Sequence, residues 1–183
     1  MHASSSTSST SIDSKPPLRK TAIITGASGG IGSAIAQRLA KEGYSCVLVG
    51  RNTCKLETVL RGLSTGRTAT STSSHRIQIG DVGSENFWTS LSKNLKSNNE
   101  TCAVLVNAAG LTHASLLVRT QGETIDQILN TNLTGTIFGC KTMLKGMLPR
   151  KEGVIVNVAS LLAVKGGKGS SVYAASKAGM LGE

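Results

Sequence analysis

Five short apolar segments alternate with stretches of helical periodicity, and this alternation constrains the fold more than any other feature of the chain. The segments are residues 22–25, 46–49, 76–79, 103–106 and 154–158; all but 76–79, which alternates polar and apolar residues, are largely apolar. Continuous apolar runs of this length favour strands that are buried on both faces, with the intervening helices as cover. We therefore predict an α/β fold built on a doubly wound parallel sheet.

Helical periodicity and end signals place the intervening helices. Gly43 suits the end of the first helix, Ser84 can cap the third, and Pro149 is expected to end a long fourth helix. The first predicted helix spans about 31–42 and places Ile31, Ile35, Ala36 and Leu39 on one face. The second spans 55–61, the third carries Phe87, Leu91 and Leu95 at helical spacing, and the fourth spans 123–148. A last helix begins near Ser171.

The number of strands is one short of the doubly wound order 3-2-1-4-5-6, which needs six. Glu183 falls inside the helix that would lead to the sixth strand. We therefore expect a domain at 21–183 with five strands present and the C-terminal part of the fold missing. The fifth strand would then be an exposed apolar edge, which is a site of aggregation or pairing.

Residues 1–20 are rich in Ser and Thr and nearly free of apolar side chains, so we predict a disordered tail. The tail is poor in acidic residues, like a transit peptide, but it has no arginine before Arg19. Mitochondrial and cytoplasmic locations therefore both stay open. Residues 62–74, rich in Ser, Thr and Gly, are predicted to form a surface loop.

Composition excludes several classes of protein. The net charge is +10, from 20 Lys and Arg against 10 Asp and Glu, which suits an anionic partner, a phosphorylated cofactor or simply a soluble surface. No known nucleic-acid motif and no transmembrane run occurs, so we expect neither nucleic acid nor membrane as a partner. The four cysteines, Cys46, Cys54, Cys102 and Cys140, show no metal-ligand spacing, which predicts no metal site. Cys46, Cys102 and Cys140 each lie in an apolar stretch, which favours reduced, buried thiols.

A glycine-rich segment, residues 25–32 with the sequence TGASGGIG, joins the first predicted strand to the first helix. Glycines at such a turn let the backbone approach a pyrophosphate, whose charge then lies at the helix N-terminus. The segment lies between a strand and a helix, as that mechanism requires. It therefore predicts a Rossmann-like dinucleotide site.

The end of the second strand indicates which dinucleotide is bound. NAD sites usually present an acid there to the ribose 2′-hydroxyl, but this sequence has no acid between Glu42 and Glu57. Arg51 stands at that position instead, and a guanidinium matches the geometry of a 2′-phosphate. The pattern favours NADP(H), while a solvated surface arginine is the alternative.

Tyr173 and Lys177 are four residues apart on one predicted helix, and Ser160 follows the fifth strand. A nearby ammonium stabilises a phenolate, which makes a tyrosine usable for proton transfer. Ser160 lies at the carboxyl edge of the sheet, where open α/β sheets bind their ligands. A Y-x-x-x-K spacing alone is common on helices, but its position here after five strands gives it weight.

Together with Asn107-Ala108-Ala109-Gly110, these motifs resemble the short-chain dehydrogenase/reductase family from about Thr21 to the end. The resemblance implies that Tyr173 donates the proton, Lys177 binds the nicotinamide ribose, Ser160 holds the substrate oxygen and Asn132 supports a proton-relay water. The family often has Ser-Ser where Ala159-Ser160 stands here, and its later strands and substrate loop are absent. The cofactor residues implied are Thr25, Gly26, Ser28, Gly30, Ile31, Gly32, Arg51, Asn52, Asp81, Val82, Asn107, Ala108, Gly110, Tyr173 and Lys177.

Within the family, residues 105–110, 116–120 and 156–160 look like those of 3-oxoacyl-[acyl-carrier-protein] reductases and their mitochondrial carbonyl-reductase relatives. The implied reaction is NADPH-dependent reduction of a 3-oxoacyl group to the 3-hydroxyacyl product of fatty-acid biosynthesis. An acidic acyl carrier protein is then a possible partner for a cluster of basic residues. That cluster comprises Lys141, Lys145, Arg150 and Lys151.

Two alternatives remain at this stage. One is another NADP-dependent carbonyl or alcohol reductase of the same family. The other is a non-catalytic fragment that at most associates with a complete subunit, since complete members of the family are expected to be homo-oligomers, either dimers or tetramers.

Overall fold

The fold is described from a computed structural model, in which residues 18–63 and 74–182 are described. Five parallel strands form one sheet in the order β3-β2-β1-β4-β5. They are β1 (Arg19–Thr25), β2 (Ser45–Gly50), β3 (Arg76–Ile79), β4 (Glu100–Asn107) and β5 (Val154–Asn157). The order confirms the predicted doubly wound sheet, with its switch point between β1 and β4.

The helices alternate with the strands. They are α1 (Gly30–Lys41), α2 (Thr53–Arg61), α3 (Glu85–Ser97), α4 (Gly122–Leu129), α5 (Gly135–Arg150), α6 (Leu162–Lys165) and α7 (Ser171–Gly179). A π-turn, Asn130–Thr134, joins α4 directly to α5, and short 3₁₀ turns occupy Leu117–Arg119 and Met180–Gly182. The long predicted helix is therefore one helical run with an interruption in its middle.

Period-two alternation along the strands divides the core into two layers. Ile23, Val47 and Leu105 face one side of the sheet, where α3 and α5 cover them. Ala22, Leu48 and Val106 face the other side and pack against α1 and α2. Both faces of the central strands are therefore shielded from solvent, which explains their continuous apolar sequences.

Several sequence-based expectations about element ends are corrected. The long helix continues to Arg150, past Pro149, and ends at Lys151 in the left-handed region with φ 53°. Proline near a helix C-terminus costs only one backbone hydrogen bond, so the helix can close its last turn around it. Ser84 is the N-terminal flanking residue of α3, but its side chain makes no capping bond. Gly43, at φ 86°, does end α1 as expected.

Ile31 was expected on the buried face of α1, but it is 62% exposed. The first turn of α1 lies at the carboxyl edge of the sheet, where no strand remains beneath it. Trp88 was not singled out in the sequence, yet it is fully buried on α3 and donates to the carbonyl oxygen of Val82 at 2.7 Å.

The predicted tail at 1–17 and most of the predicted loop at 62–74 lie outside the described residues. The first strand begins at Arg19, two residues earlier than the domain boundary expected at residue 21. All four cysteines are free, and burial raises the pKa values of Cys46 and Cys102 to about 12. Within the described residues no group of side chains could hold a metal ion, and none of the helices is long and apolar enough to cross a membrane.

Candidate active site

The glycine-rich turn after β1 is held by close backbone approaches. Gly26 has φ 63°, and a Cβ there would lie 2.6 Å from the carbonyl oxygen of Ala108. A Cβ on Gly32 would lie 2.3 Å from the carbonyl oxygen of Gly26. Only glycine fits at both positions, so the turn brings β1, α1 and the segment after β4 together.

Thr25 ties the ends of the two central strands together. Its hydroxyl oxygen accepts hydrogen bonds from the backbone N–H groups of Ala108 and Ala109, both at 3.0 Å, and donates to the carbonyl oxygen of Val106 at 3.2 Å. All three bonds lie at the switch point of the sheet. Thr25 therefore fixes the backbone beneath the site and does not line the cleft itself.

The N-terminus of α1 opens at this turn. Gly29 precedes the helix without a side-chain cap, and the first turn carries no acidic residue. The Cβ position of Gly30 has no atom within 4 Å. Free N–H groups and the positive end of the helix dipole thus face open space, as a pyrophosphate requires.

A cleft of about 220 Å³ runs from this helix end along the carboxyl edge of the sheet. Its far wall is formed by the residues after β3, and its inner end by the segment after β4. The lining residues are Gly26, Ser28, Gly29, Gly50, Arg51, Gly80, Asp81, Val82, Ala108, Ala109, Gly110, Leu111 and Thr131.

Seven of the fifteen cofactor residues implied by the sequence line the cleft, and the other eight do not. Asn52 is the N-cap of α2, where its side chain accepts from the backbone N–H of Lys55 at 2.9 Å. Gly30 and Ile31 also lie outside the lining residues, and Asn107 is buried beneath them. Arg51 is exposed at the end of β2 and lines the cleft, while Asp81 uses its carboxylate to accept from the N–H of Gly83 at 2.9 Å.

Asn132 lies in the π-turn and is fully buried. Its side-chain oxygen accepts from the N–H of Leu111 at 2.7 Å, and its side-chain nitrogen donates to the carbonyl oxygen of Leu111 at 2.9 Å. The same nitrogen donates to the hydroxyl of Ser176 at 2.9 Å. π-turns occur often at functional sites, and this one directs an amide into the space between β4 and α7.

Lys177 lies on α7 and is only 4% exposed. Its ammonium donates to the carbonyl oxygen of Val158 at 2.7 Å and lies 3.3 Å from the sulfur of Met180. Burial lowers its pKa below the ordinary lysine value, since a charge is costly away from water. Among the described residues no carboxylate forms an ion pair with it.

The cleft and α7 meet at Gly110. A Cβ on Gly110 would lie 3.5 Å from the side-chain oxygen of Asn132 and 3.7 Å from the nitrogen of Lys177. Gly110 also lines the cleft. The structure therefore places Lys177 and Asn132 at the inner end of the cleft. Ser160 lies just after β5, with Tyr173 one turn before Lys177 on α7.

Sequence reasoning missed several contributors to the site. Asn157 accepts a hydrogen bond at 2.9 Å from the side chain of Asn107, which connects the carboxyl ends of β4 and β5. Ser176 contacts Asn132, and Leu111 and Thr131 line the cleft. Each lies at or after the end of a strand or within the helical residues facing the site, so position relative to the strand ends was the available signal.

Comparison with known proteins agrees with this geometry. The family model for short chain dehydrogenases matches residues 20–182. The chain is 38% identical over 165 residues to carbonyl reductase family member 4 of Xenopus laevis. It is 37% identical over 165 residues to the human 3-oxoacyl-[acyl-carrier-protein] reductase. Each of these alignments covers 90% of this chain and 66% of the relative.

Solved structures share the fold. An actinorhodin polyketide ketoreductase variant with NADPH superposes with a TM-score of 0.81 at 33% identity, covering 90% of this chain and 62% of that one. A metagenomic short-chain oxidoreductase in complex with NADP gives a TM-score of 0.80 at 27% identity, covering 90% and 72%. The chain thus spans about two thirds of the length of these relatives. With its sheet order, glycine-rich turn and matched family model, it belongs to the short-chain dehydrogenase/reductase family.

Proposed function

We propose that this protein reduces a carbonyl group to an alcohol with NADPH, and that the carbonyl is the 3-oxo group of an acyl chain carried by acyl carrier protein. The observation that carries the reaction class is the position of Lys177. Its buried ammonium borders Gly110 at the inner end of the cleft, one helical turn from Tyr173.

The residues of the cleft fit a dinucleotide. Gly26 leaves room beside Ala108, the uncapped end of α1 can accept a pyrophosphate, and Arg51 can meet a 2′-phosphate. Asp81 and Val82 form the wall on the adenine side. When bound, the nicotinamide of such a cofactor supplies a hydride.

The residues on α7 and after β5 supply the proton and hold the substrate oxygen. Tyr173 donates its phenolic proton to that oxygen, and the Lys177 ammonium stabilises the phenolate left behind. Ser160 accepts from the N–H of Leu162 at 3.2 Å, and a hydroxyl that accepts one bond can still donate another to the substrate.

The names of the relatives support the substrate. Among them are 3-oxoacyl-[acyl-carrier-protein] reductases from human and cattle. Acyl carrier protein is acidic, so we propose the basic residues around the end of α5 as its docking surface. Lys141 is already paired with Glu85 at 2.7 Å, and Arg150 donates to the carbonyl oxygen of Cys102 at 3.2 Å. Lys145 and Lys151 would then contribute most.

A second candidate is reduction of other carbonyl compounds. It is favoured by the similarity to carbonyl reductase family member 4 of Xenopus laevis, at 38% identity. The two candidates share the same cofactor and the same proton donor, and they differ only in the carbonyl substrate that is accepted.

The cofactor half of the proposal is tested by titrating NADPH and NADH and following nucleotide fluorescence. We expect Arg51→Ala to weaken NADPH binding about tenfold or more and to leave NADH unchanged, because a charge-assisted phosphate contact is worth roughly 1.5–3 kcal/mol. The matched control is Arg61→Ala, an exposed arginine at the end of α2. Equal losses with both nucleotides would contradict the assignment of Arg51.

The reaction half is tested by NADPH consumption with a 3-oxoacyl thioester and with a simple ketone. Tyr173→Phe should lower turnover at least about 100-fold while cofactor binding is retained, because it removes only the proton donor. Reduction of the ketone alone would favour the second candidate. NADPH binding without turnover of either compound would contradict the proposed reaction for this chain.

A further inference from the structure

Ser176 is a buried hydroxyl that the proposed chemistry does not use. It lies on α7, directly before Lys177, and is 0% exposed. Its oxygen accepts from the side-chain nitrogen of Asn132 at 2.9 Å and donates to the carbonyl oxygen of Tyr173 at 2.7 Å. One atom thus contacts both the π-turn and the helical turn that carries the catalytic pair.

These contacts set the direction of every hydrogen bond in the group. Because Ser176 donates to the carbonyl of Tyr173, its lone pairs face Asn132, which must then present its N–H₂ to Ser176 and to the carbonyl of Leu111. The amide oxygen is left to accept from the N–H of Leu111 at 2.7 Å. The chain of bonds runs from α7 through the π-turn to the segment that forms the inner end of the cleft.

We propose that Ser176 is a positioning residue that fixes Asn132, and through it the segment at Leu111, against the turn of α7 that carries Tyr173 and Lys177. Its catalytic consequence depends on the proposed function, but its positional role does not. Removing the hydroxyl leaves a buried N–H of Asn132 without its hydrogen-bond partner, which is unfavourable away from water. The amide can then reorient away from Leu111.

The simpler alternative is that the Ser176 hydroxyl only finds a hydrogen-bond partner within its own helix and does not position Asn132. Serine hydroxyls in helices often donate to a carbonyl one turn back, as this one does to Tyr173. In that case Ser176→Ala would affect α7 alone, and the bonds between Asn132 and Leu111 would persist.

Hydrogen exchange at the backbone amide of Leu111 separates the two possibilities without any cofactor or substrate. We expect Ser176→Ala to accelerate this exchange about tenfold or more relative to the unchanged protein, and Ser176→Thr, which keeps a hydroxyl, to restore protection. The matched control is Ser171→Ala, at the exposed first residue of the same helix. Unchanged exchange at Leu111 in Ser176→Ala would overturn the proposal.

Catalysis gives a second readout. With NADPH and a reducible carbonyl, Ser176→Ala should lower kcat about tenfold and keep the KM for NADPH within about twofold. Ser176→Thr, which keeps a hydroxyl, should retain most of the activity. An unchanged kcat in Ser176→Ala would overturn the catalytic consequence of the proposal, whatever the exchange result. If the unaltered protein turns over nothing, the proposed function fails, and the exchange result still decides the role of Ser176.

Discussion

The proposed nucleotide-binding half of the molecule and its proposed catalytic half are built in different ways. Around β1 and β2, the strands are buried on both faces and the turn is set by contacts between backbone atoms at Gly26 and Gly32. Around β5 and α7, the proposed catalytic residues are held by side-chain hydrogen bonds through Asn132, Ser176 and Lys177. Val154 and Val156 of β5 are 55% and 42% exposed.

This difference follows from what each half must do. A pyrophosphate is recognised by N–H groups and a helix end, so the site needs a fixed backbone and no particular side chain. Proton transfer needs titratable side chains at set positions, and each of them needs its own supporting partners. The stability of the nucleotide half should therefore be most sensitive to added side-chain atoms. That of the catalytic half should be most sensitive to lost hydrogen bonds and to pH.

The largest effect is expected from an added methyl group in the nucleotide half. Gly32→Ala should lower the free energy of unfolding by about 3 kcal/mol, because its Cβ would overlap the carbonyl oxygen of Gly26. Gly30→Ala is the matched control two residues earlier in α1, where the Cβ meets open space. It should be neutral or stabilising by up to about 1 kcal/mol. Urea unfolding of both variants measures the contrast, and equal losses would break the comparison.

A smaller effect is expected from pH in the catalytic half. Burial lowers the pKa of Lys177, so the folded protein binds this proton less tightly than the unfolded chain. Stability contributed by this group therefore rises as pH rises toward the unfolded value of about 10.4. Between pH 8 and 10 the urea midpoint of the protein should rise relative to that of Lys177→Met. Lys168→Met, at an exposed site, should follow the unaltered protein.

The smallest effect is expected from His75 in the nucleotide half. Its Nδ1 accepts from the N–H of Cys46 at 3.1 Å, and burial lowers the pKa of the imidazole. The unfolded chain therefore takes up this proton first, and stability is lost as pH falls below about 6.5. His75→Gln should reduce the pH dependence of the urea midpoint between pH 5 and 7. His113→Gln, at an exposed histidine, is the control, and an identical slope in both variants would contradict this assignment.

The sequence predicted the sheet order, the alternation of layers and the glycine-rich turn because each depends on local pattern. Buried strands need continuous apolar runs, and a dinucleotide turn needs glycines at fixed spacing, so both can be recognised without a partner. The exposed edge of β5 was also predicted from the strand count. The disordered tail stays a prediction, since residues 1–17 lie outside the described residues. The cellular location of the protein also stays a prediction.

Expectations failed where the environment of a residue depended on distant parts of the chain. Ile31 has the spacing of a core residue, yet the end of the sheet leaves it exposed. Asn52 has the position of a cofactor ligand, yet its side chain caps α2. In both cases the predicted position in the local secondary structure was correct. The surrounding structure then determined whether the side chain was buried, exposed or engaged in a helix cap.

What the sequence by itself determined is the doubly wound fold, the place of the nucleotide turn and the identity of Tyr173, Lys177 and Ser160 as candidates. Only the tertiary structure decided that Lys177 and Asn132 meet at Gly110, and that Ser176 joins Asn132 to α7. The physical reason is sequence separation. Strand and turn patterns arise from contacts between near neighbours, whereas Asn132 and Ser176 are 44 residues apart and meet only once the sheet and helices have packed.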